Sequence, residues 1–298
     1  MILEIILQIY YERTFMAQFT NQAQLTYRDT VTNSNVAVGE TLEVLSISKT
    51  ALVDTYTQGD SVTYIISLIN SGVTDLGGIT LTDNLGAYEF GTITLVPLSY
   101  IEGSLRYYTN GVLQPSLTVD TENGLTISDV TVPANGTAML IYETNVNGFA
   151  PLPADSTIIN TVTASGAGLT PISASEVITS VSAPRLSITK SISPVPVAEN
   201  GFVTYTFLIQ NTGNTPVVAT DNSFVTDLFN PILSDLTVTF NGEEWTEGNE
   251  YNYNQATGLF ETVPSGITVP SATYSQDPVS GVWSITPGVS TLVVTGRI

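Results

Sequence analysis

The chain carries one pattern twice. LEVLSISKTALVDTYTQGDSVTYIISLINSG from Leu42 returns as RLSITKSISPVPVAENGFVTYTFLIQNTG from Arg185. Each copy passes through a strand ending in lysine (Lys49, Lys190), a glycine turn (Gly59, Gly201), a Val-Thr-Tyr strand ending at Tyr64 or Tyr205, and a second turn at Asn70/Gly72 or Asn211/Gly213. ITLTDNL around Asp83 is answered by SFVTDLF around Asp227. A pattern that recurs over this distance marks a module, and 298 residues suit about two domains. Between the turns, TYIISLI, TYTFLI, LTVTF and STLVVTG alternate apolar with polar residues, the period of a half-buried strand. Turns spaced about eight to twelve residues apart predict a Greek-key sandwich of the immunoglobulin type in each copy. The expected architecture is all-β, with a first sandwich over residues 42–183 and a second over 184–298, joined closely at Pro184.

Composition narrows the function. Seven basic residues against 27 acidic ones give a net charge of −20, which repels phosphate backbones and argues against nucleic acid as a partner. The chain has no cysteine and no histidine, so disulfides, thiolate or imidazole metal ligands and the usual hydrolase base are all excluded. No cofactor and no metal are expected. Asp54, Asp60 and Asp75 lack the spacing of a calcium loop. MILEIILQIY is too short to span a bilayer, carries Glu4 and lacks a basic start, so it reads poorly as a signal peptide. Residues 1–16 are expected to be an uncertain start, with Met16 as an alternative, or a disordered tail.

The lysine-ended first strand, G-D-x-V-T-Y, N-S-G or N-T-G, T-D and the later N-T-V-T together resemble the bacterial surface-repeat family called domain of unknown function eleven. The resemblance covers nearly all of residues 42–298 and implies stalk modules of Gram-positive surfaces or subunits of clostridial spore appendages. It implies an extracellular location, on a cell or spore surface.

Lys49 and Lys190 are the two lysines of the chain and hold the same place in both copies. Either each pairs with its aspartate, Asp83 or Asp227, as a salt bridge, or it forms an isopeptide bond. In the second case the amine attacks an asparagine amide, ammonia leaves and the aspartate shuttles the proton. Burial favours that chemistry by neutralising amine and acid alike, and the fold supplies the proximity. In the first copy the candidates are Lys49, Asp83 and Asn160, which opens NTVTASG, read as the final strand. Asn70 and Asn145 compete, Asn70 having the place of a turn residue. The resemblance to isopeptide-stapled surface domains points the same way.

The second copy lacks this last piece. Pro133-Ala-Asn-Gly-Thr137 aligns with Pro287-Gly-Val-Ser-Thr291, after which the first copy continues to Asn160 and the second stops at Ile298. The N-terminus carries an equivalent: FTNQAQLTY places Asn21 ahead of Lys49 much as Asn160 stands ahead of Lys190. Residues 17–41 are therefore expected to be a donor strand and linker, with Phe19, Ala23, Leu25 and Tyr27 as the inserting face. An open sandwich exposes its core and strand edges. Complementation by a neighbour's strand resolves this, and a head-to-tail interface that does not close makes a filament. Lys190 and Asn21 would then join subunits covalently. The alternatives are a donor that folds back onto its own second domain, or STLVVTGRI itself as the last strand.

The expected function is that of a structural fibre subunit, a head-to-tail homopolymer with other fibre subunits as further partners and no enzyme beyond self-modification. The competing reading is a nonpolymeric adhesin or sugar-binding module, suggested by Tyr107, Tyr108, Trp245, Tyr251, Tyr253 and Trp283. Glu243 and Glu244 are adjacent, so on a strand they face opposite ways and make no glycosidase pair.

Overall fold

The structure, a computed structural model, describes residues 17–41, 43–122 and 124–298. Residues 1–16, with the expected start or tail, lie outside the described residues. The fold is all-β. In the first sandwich, one sheet runs in the order β11 (Val112–Leu113), β10 (Arg106–Thr109), β14 (Gly136–Val146), β5 (Ser61–Asn70), β3 (Leu45–Ala51), with β9 (Leu98–Tyr100) also on β14. The facing sheet is β12 (Val119–Asp120), β13 (Leu125–Val132), β6 (Leu76–Asp83), β15 (Thr157–Gly166), β16 (Ile172–Ser180), β4 (Thr55–Tyr56). A small hairpin, β7 (Tyr88–Phe90) with β8 (Ile93–Leu95), stands beside them. Alternation is strict where both sheets face the core: along β5, Val62, Tyr64, Ile66 and Leu68 are fully buried. Each such apolar side chain stabilises the fold by about 1.5–3 kcal/mol.

The second sandwich repeats one of these sheets. β17 (Leu186–Ser193), β18 (Phe202–Asn211), β26 (Gly288–Arg297), β20 (Ser234–Phe240) and β21 (Glu243–Trp245) are hydrogen-bonded in that order. Facing them, among the described residues, is a sheet of β19 (Thr226–Leu228), β23 (Leu259–Thr262) and β22 (Tyr251–Asn254). β19 holds the place of β6, and the strands corresponding to β15 and β16 are absent among the described residues of this sandwich. The cost is visible on β17. Leu186, Ile188 and Ile192, which share a face with Lys190, are 48%, 53% and 44% exposed, whereas Leu45 in the first sandwich is buried.

A separate strand pair stands at the N-terminal end of the described residues. β1 (Ala17–Tyr27) and β2 (Thr30–Thr41) form an antiparallel hairpin that pairs with no other described strand. This corrects the expectation of a single donor strand followed by a linker: residues 30–41 are a second strand, closed by a two-residue turn with Arg28 at φ 52°. Likewise Asn160 lies on the penultimate strand of its sandwich, with β16 following. Phe19, Leu25 and Tyr27, on one face of β1, are 57%, 65% and 66% exposed. Gly39 lies beneath the Phe19 ring, which occupies the space a β-carbon would take.

Another difference corrects the alignment of the copies. Asn70 donates to the carbonyls of Thr74 and Pro133, and Asn211 to those of Thr215 and Pro270, so Pro270 and not Pro287 stands in Pro133's place. Where the first sandwich has Ala134 and Asn135 before the next strand, the second inserts residues 271–287. This insertion is an arm of two strands, β24 (Thr273–Gln276) and β25 (Trp283–Thr286), that reaches the first sandwich. Gln276 donates to the Tyr88 hydroxyl at 2.9 Å, the Trp283 amide donates to the Gly148 carbonyl at 3.0 Å, and Gly281 packs on Leu95.

Candidate functional site

The heart of the first sandwich is polar. Lys49 from β3 lies across from Asp83 of β6 and Asn160 of β15, one from one sheet and two from the other, and all three are buried. Lys49 Nζ donates to Asp83 Oδ2 at 2.5 Å, with both side chains essentially removed from solvent. Tyr142, on β14, donates its hydroxyl to the same oxygen at 2.5 Å. Asn160 Nδ2 in turn donates to the Tyr142 oxygen at 3.3 Å, which ties Asn160 into the network. Asp83 Oδ1 is held by the Leu85 amide at 3.0 Å. The walls are aromatic: Lys49 Nζ sits 4.9 Å from the Tyr64 ring centre and 5.8 Å from that of Tyr142, and these rings stack at 5.6 Å. Two groups lack hydrogen-bond partners, the Tyr64 hydroxyl and Asn160 Oδ1. A buried carbonyl oxygen without a donor is uncommon in a protein core.

Electrostatics favour a nucleophilic amine. Burial lowers the Lys49 pKa to about 8 from its ordinary 10.5, with the charge and hydrogen bond of Asp83 opposing the shift. Burial likewise pushes the Tyr142 hydroxyl well up, with the neighbouring Asp83 adding to the rise, so this phenol keeps its proton. Because the folded chain gives up the Lys49 proton more readily than the unfolded chain, a destabilising contribution is present in full below pH 8 and is relieved as pH rises from about 8 to 10.5. The amine is the reactive form. Any attack by Lys49 should therefore quicken about tenfold per pH unit below 8 and level off above it, measurable as ammonia release from freshly synthesised protein at a series of pH values.

The second site is the same design left open. Lys190 on β17 bonds to Asp227 on β19 and sits over Tyr205, Phe229 and Phe207 at 4.4, 5.2 and 5.3 Å. Here the side chains are 38% and 18% exposed. Among the described residues no asparagine hydrogen-bonds to them; Asn21 lies on the N-terminal hairpin, opposite Ala37. The residue paired with Tyr205 is Val294, whereas Tyr64 is paired with Tyr142.

Other sequence candidates fall elsewhere. Asn70 is a turn residue bonded to main-chain carbonyls, and Asn145 accepts from Ser61 at the sandwich edge. Asp60 caps its own turn through Thr57, and Asp75 accepts from the Ala134 amide. Tyr107, Tyr251 and Tyr253 are buried, and Trp245 stacks on Phe240 at 4.9 Å. Sequence reading missed Tyr142. Its place becomes apparent only from the strand register, which sets it opposite Tyr64.

No protein-family profile and no curated protein matches the chain. Solved structures resemble it at low likeness. A chain described as BspA_C_WT is 14% identical with a TM-score of 0.36, covering 84% of this chain and 91% of that one. BcpA, the major pilin subunit of Bacillus cereus, is 12% identical with a TM-score of 0.36, covering 91% and 73%. The pilus backbone RrgB from Streptococcus pneumoniae is 12% identical with a TM-score of 0.33, covering 82% and 55%, so the chain spans about half of that protein.

Proposed function

We propose that the chain is the structural subunit of an extracellular bacterial fibre, polymerising head to tail as the β1–β2 hairpin of one copy completes the second sandwich of the next. The observation that carries this reading is the match between what one end lacks and what the other end offers. Among the described residues the second sandwich has no strand pair beside β19, and the β1–β2 hairpin, whose first strand carries an apolar face around an asparagine, pairs with no other strand. Both features expose apolar surface and unsatisfied strand edges, which docking removes together.

The first sandwich supplies the register. Val162 of β15 pairs with Asp83, two residues beyond Asn160. Laid on the second sandwich, this register would set Ala23 against Asp227 and Asn21 against Lys190, with Phe19 and Leu25 on the same inserting face. Each sandwich would then end in a strand pair that runs directly into the next sandwich, Ser180 to Leu186 after the first and, in the incoming chain, Thr41 to Leu45 after the second. Lys49–Asn160 within a subunit and Lys190–Asn21 between subunits are the isopeptide bonds of this scheme, with Asp83 and Asp227 as proton shuttles. The surface location and the spore rest on the sequence resemblance.

A charge on the inserting face separates this from an adhesin that works as a monomer. Leu25→Asp changes an exposed residue of the free hairpin, so the subunit should fold as before, measured by circular dichroism. Burying an unpaired carboxylate in the groove costs several kcal/mol, so filaments in negative-stain micrographs should vanish. Filaments of unchanged length in this variant would remove the hairpin from the assembly.

A further inference from the structure

We infer that Tyr142 is the proton relay of the Lys49–Asn160 reaction, carrying a proton from Asp83 to the departing amide nitrogen. The inference rests on the bond proposed above and concerns how it forms. Asp83 Oδ2 touches the attacking amine, but among the described residues no hydrogen bond joins Asp83 to Asn160. The Tyr142 oxygen stands between them, 2.5 Å from Asp83 Oδ2 and 3.3 Å from Asn160 Nδ2. All members of this chain are buried, so no solvent proton competes.

The balance is closed. Neutral Lys49 Nζ attacks Cγ of Asn160, a C–N bond forms and the carbonyl electron pair moves onto Oδ1. Asp83 accepts one proton from Nζ and passes one to the Tyr142 oxygen, while Tyr142 gives its own hydroxyl proton to Nδ2. The Cγ–Nδ2 bond then breaks, ammonia departs, and both Asp83 and Tyr142 end as they began. The hydrogen bonds along the chain simply reverse direction, which a hydroxyl allows because it donates and accepts at one atom. A phenol whose proton is firmly held is suited to this, since it passes a proton on without resting as a phenolate.

The second site shows what the fold does without the relay. Val294 faces Tyr205 there, so an incoming Asn21 finds no hydroxyl from that strand. The Lys190 reaction must release its leaving group by another path, and the two bonds should form at different rates.

The test uses the full chain made by cell-free synthesis, with intact mass followed over time for loss of one ammonia. Tyr142→Phe should fold, read by resistance to protease, yet lose ammonia on the order of 100-fold more slowly, the lower end of what a positioned acid–base group contributes. Tyr107→Phe removes another buried hydroxyl of the same sandwich, one that bonds the Thr131 carbonyl, and should react at the parental rate. Equal rates in Tyr142→Phe and the parent overturn the inference, as does equal slowing in Tyr107→Phe. If Tyr142→Phe does not fold, difluorotyrosine at position 142 keeps the shape and acidifies the phenol. It should move the pH profile of ammonia loss, and an unmoved profile overturns the relay. A parent chain that never loses ammonia defeats the bond itself, a failure distinct from that of the relay.

Discussion

Polymers of this protein boiled in denaturant should run as a ladder in multiples of 31.7 kDa, and Asn21→Ala should collapse the ladder to a single monomer band while leaving filaments in the micrograph. The two readouts separate because two different interactions are at work. Docking of the hairpin rests on strand pairing and burial of Phe19, Ala23 and Leu25, none of which the substitution touches. Survival in denaturant depends on a bond between Lys190 and Asn21. Lys190→Ala should give the same monomer band, because it removes the nucleophile, though it also leaves Asp227 without its partner. A ladder that persists in Asn21→Ala means that another residue supplies the amide, and Asn33 or Asn35 on β2 would be examined next. If wild-type filaments dissolve to monomer on boiling, the joint is docked but unsealed.

The first sandwich should lose much of its stability in Asn160→Ala. A cross-link between residues 49 and 160 closes a loop of roughly 110 residues, and by chain entropy such a link is worth about 4.7 kcal/mol. Spread over a domain of this size, that amounts to a fall in Tm of about 10–18 °C. Lys49→Ala should fall further, because it loses the link and also strands the Asp83 carboxylate in a dry core, a penalty of about 3–5 kcal/mol when one partner of a buried pair is removed. Scanning calorimetry of the first sandwich within the intact chain measures both. Equal melting of Asn160→Ala and the parent would mean that Lys49 and Asp83 form an ordinary buried salt bridge, the plainer of the two readings that the sequence allows.

Much of this site could be read before any coordinates. The lysine, the aspartate and the asparagine stand in recurring segments, and the alternation along TYIISLI and TYTFLI places their strands in a sandwich. What could not be read depends on pairing between distant strands. Tyr142 is one of 14 tyrosines and looks like its neighbours until the register of β14 on β5 places it beside Asp83. TNSN breaks the apolar alternation of β2, so its strand character does not stand out in the sequence. In the structure that stretch is a bulge, where the register slips between Gln22 and Gln24 while the strand continues. The arm at 271–287 is hidden in the sequence because Pro287 imitates Pro133, whose counterpart by hydrogen bonding is Pro270.

That arm has a mechanical consequence. It grips the preceding sandwich through Tyr88, Gly148 and Leu95, so the two halves of one chain resist bending relative to each other. In the proposed fibre the next joint, between this chain's second sandwich and the following chain's first, has only Ala134 and Asn135 where the arm would spring. Flexure would then concentrate at every other joint, giving a jointed rod whose hinges recur once per subunit. Because the covalent seal would lie inside the sandwich and not across the hinge, such a rod could swing under shear without loading the bond that keeps it whole.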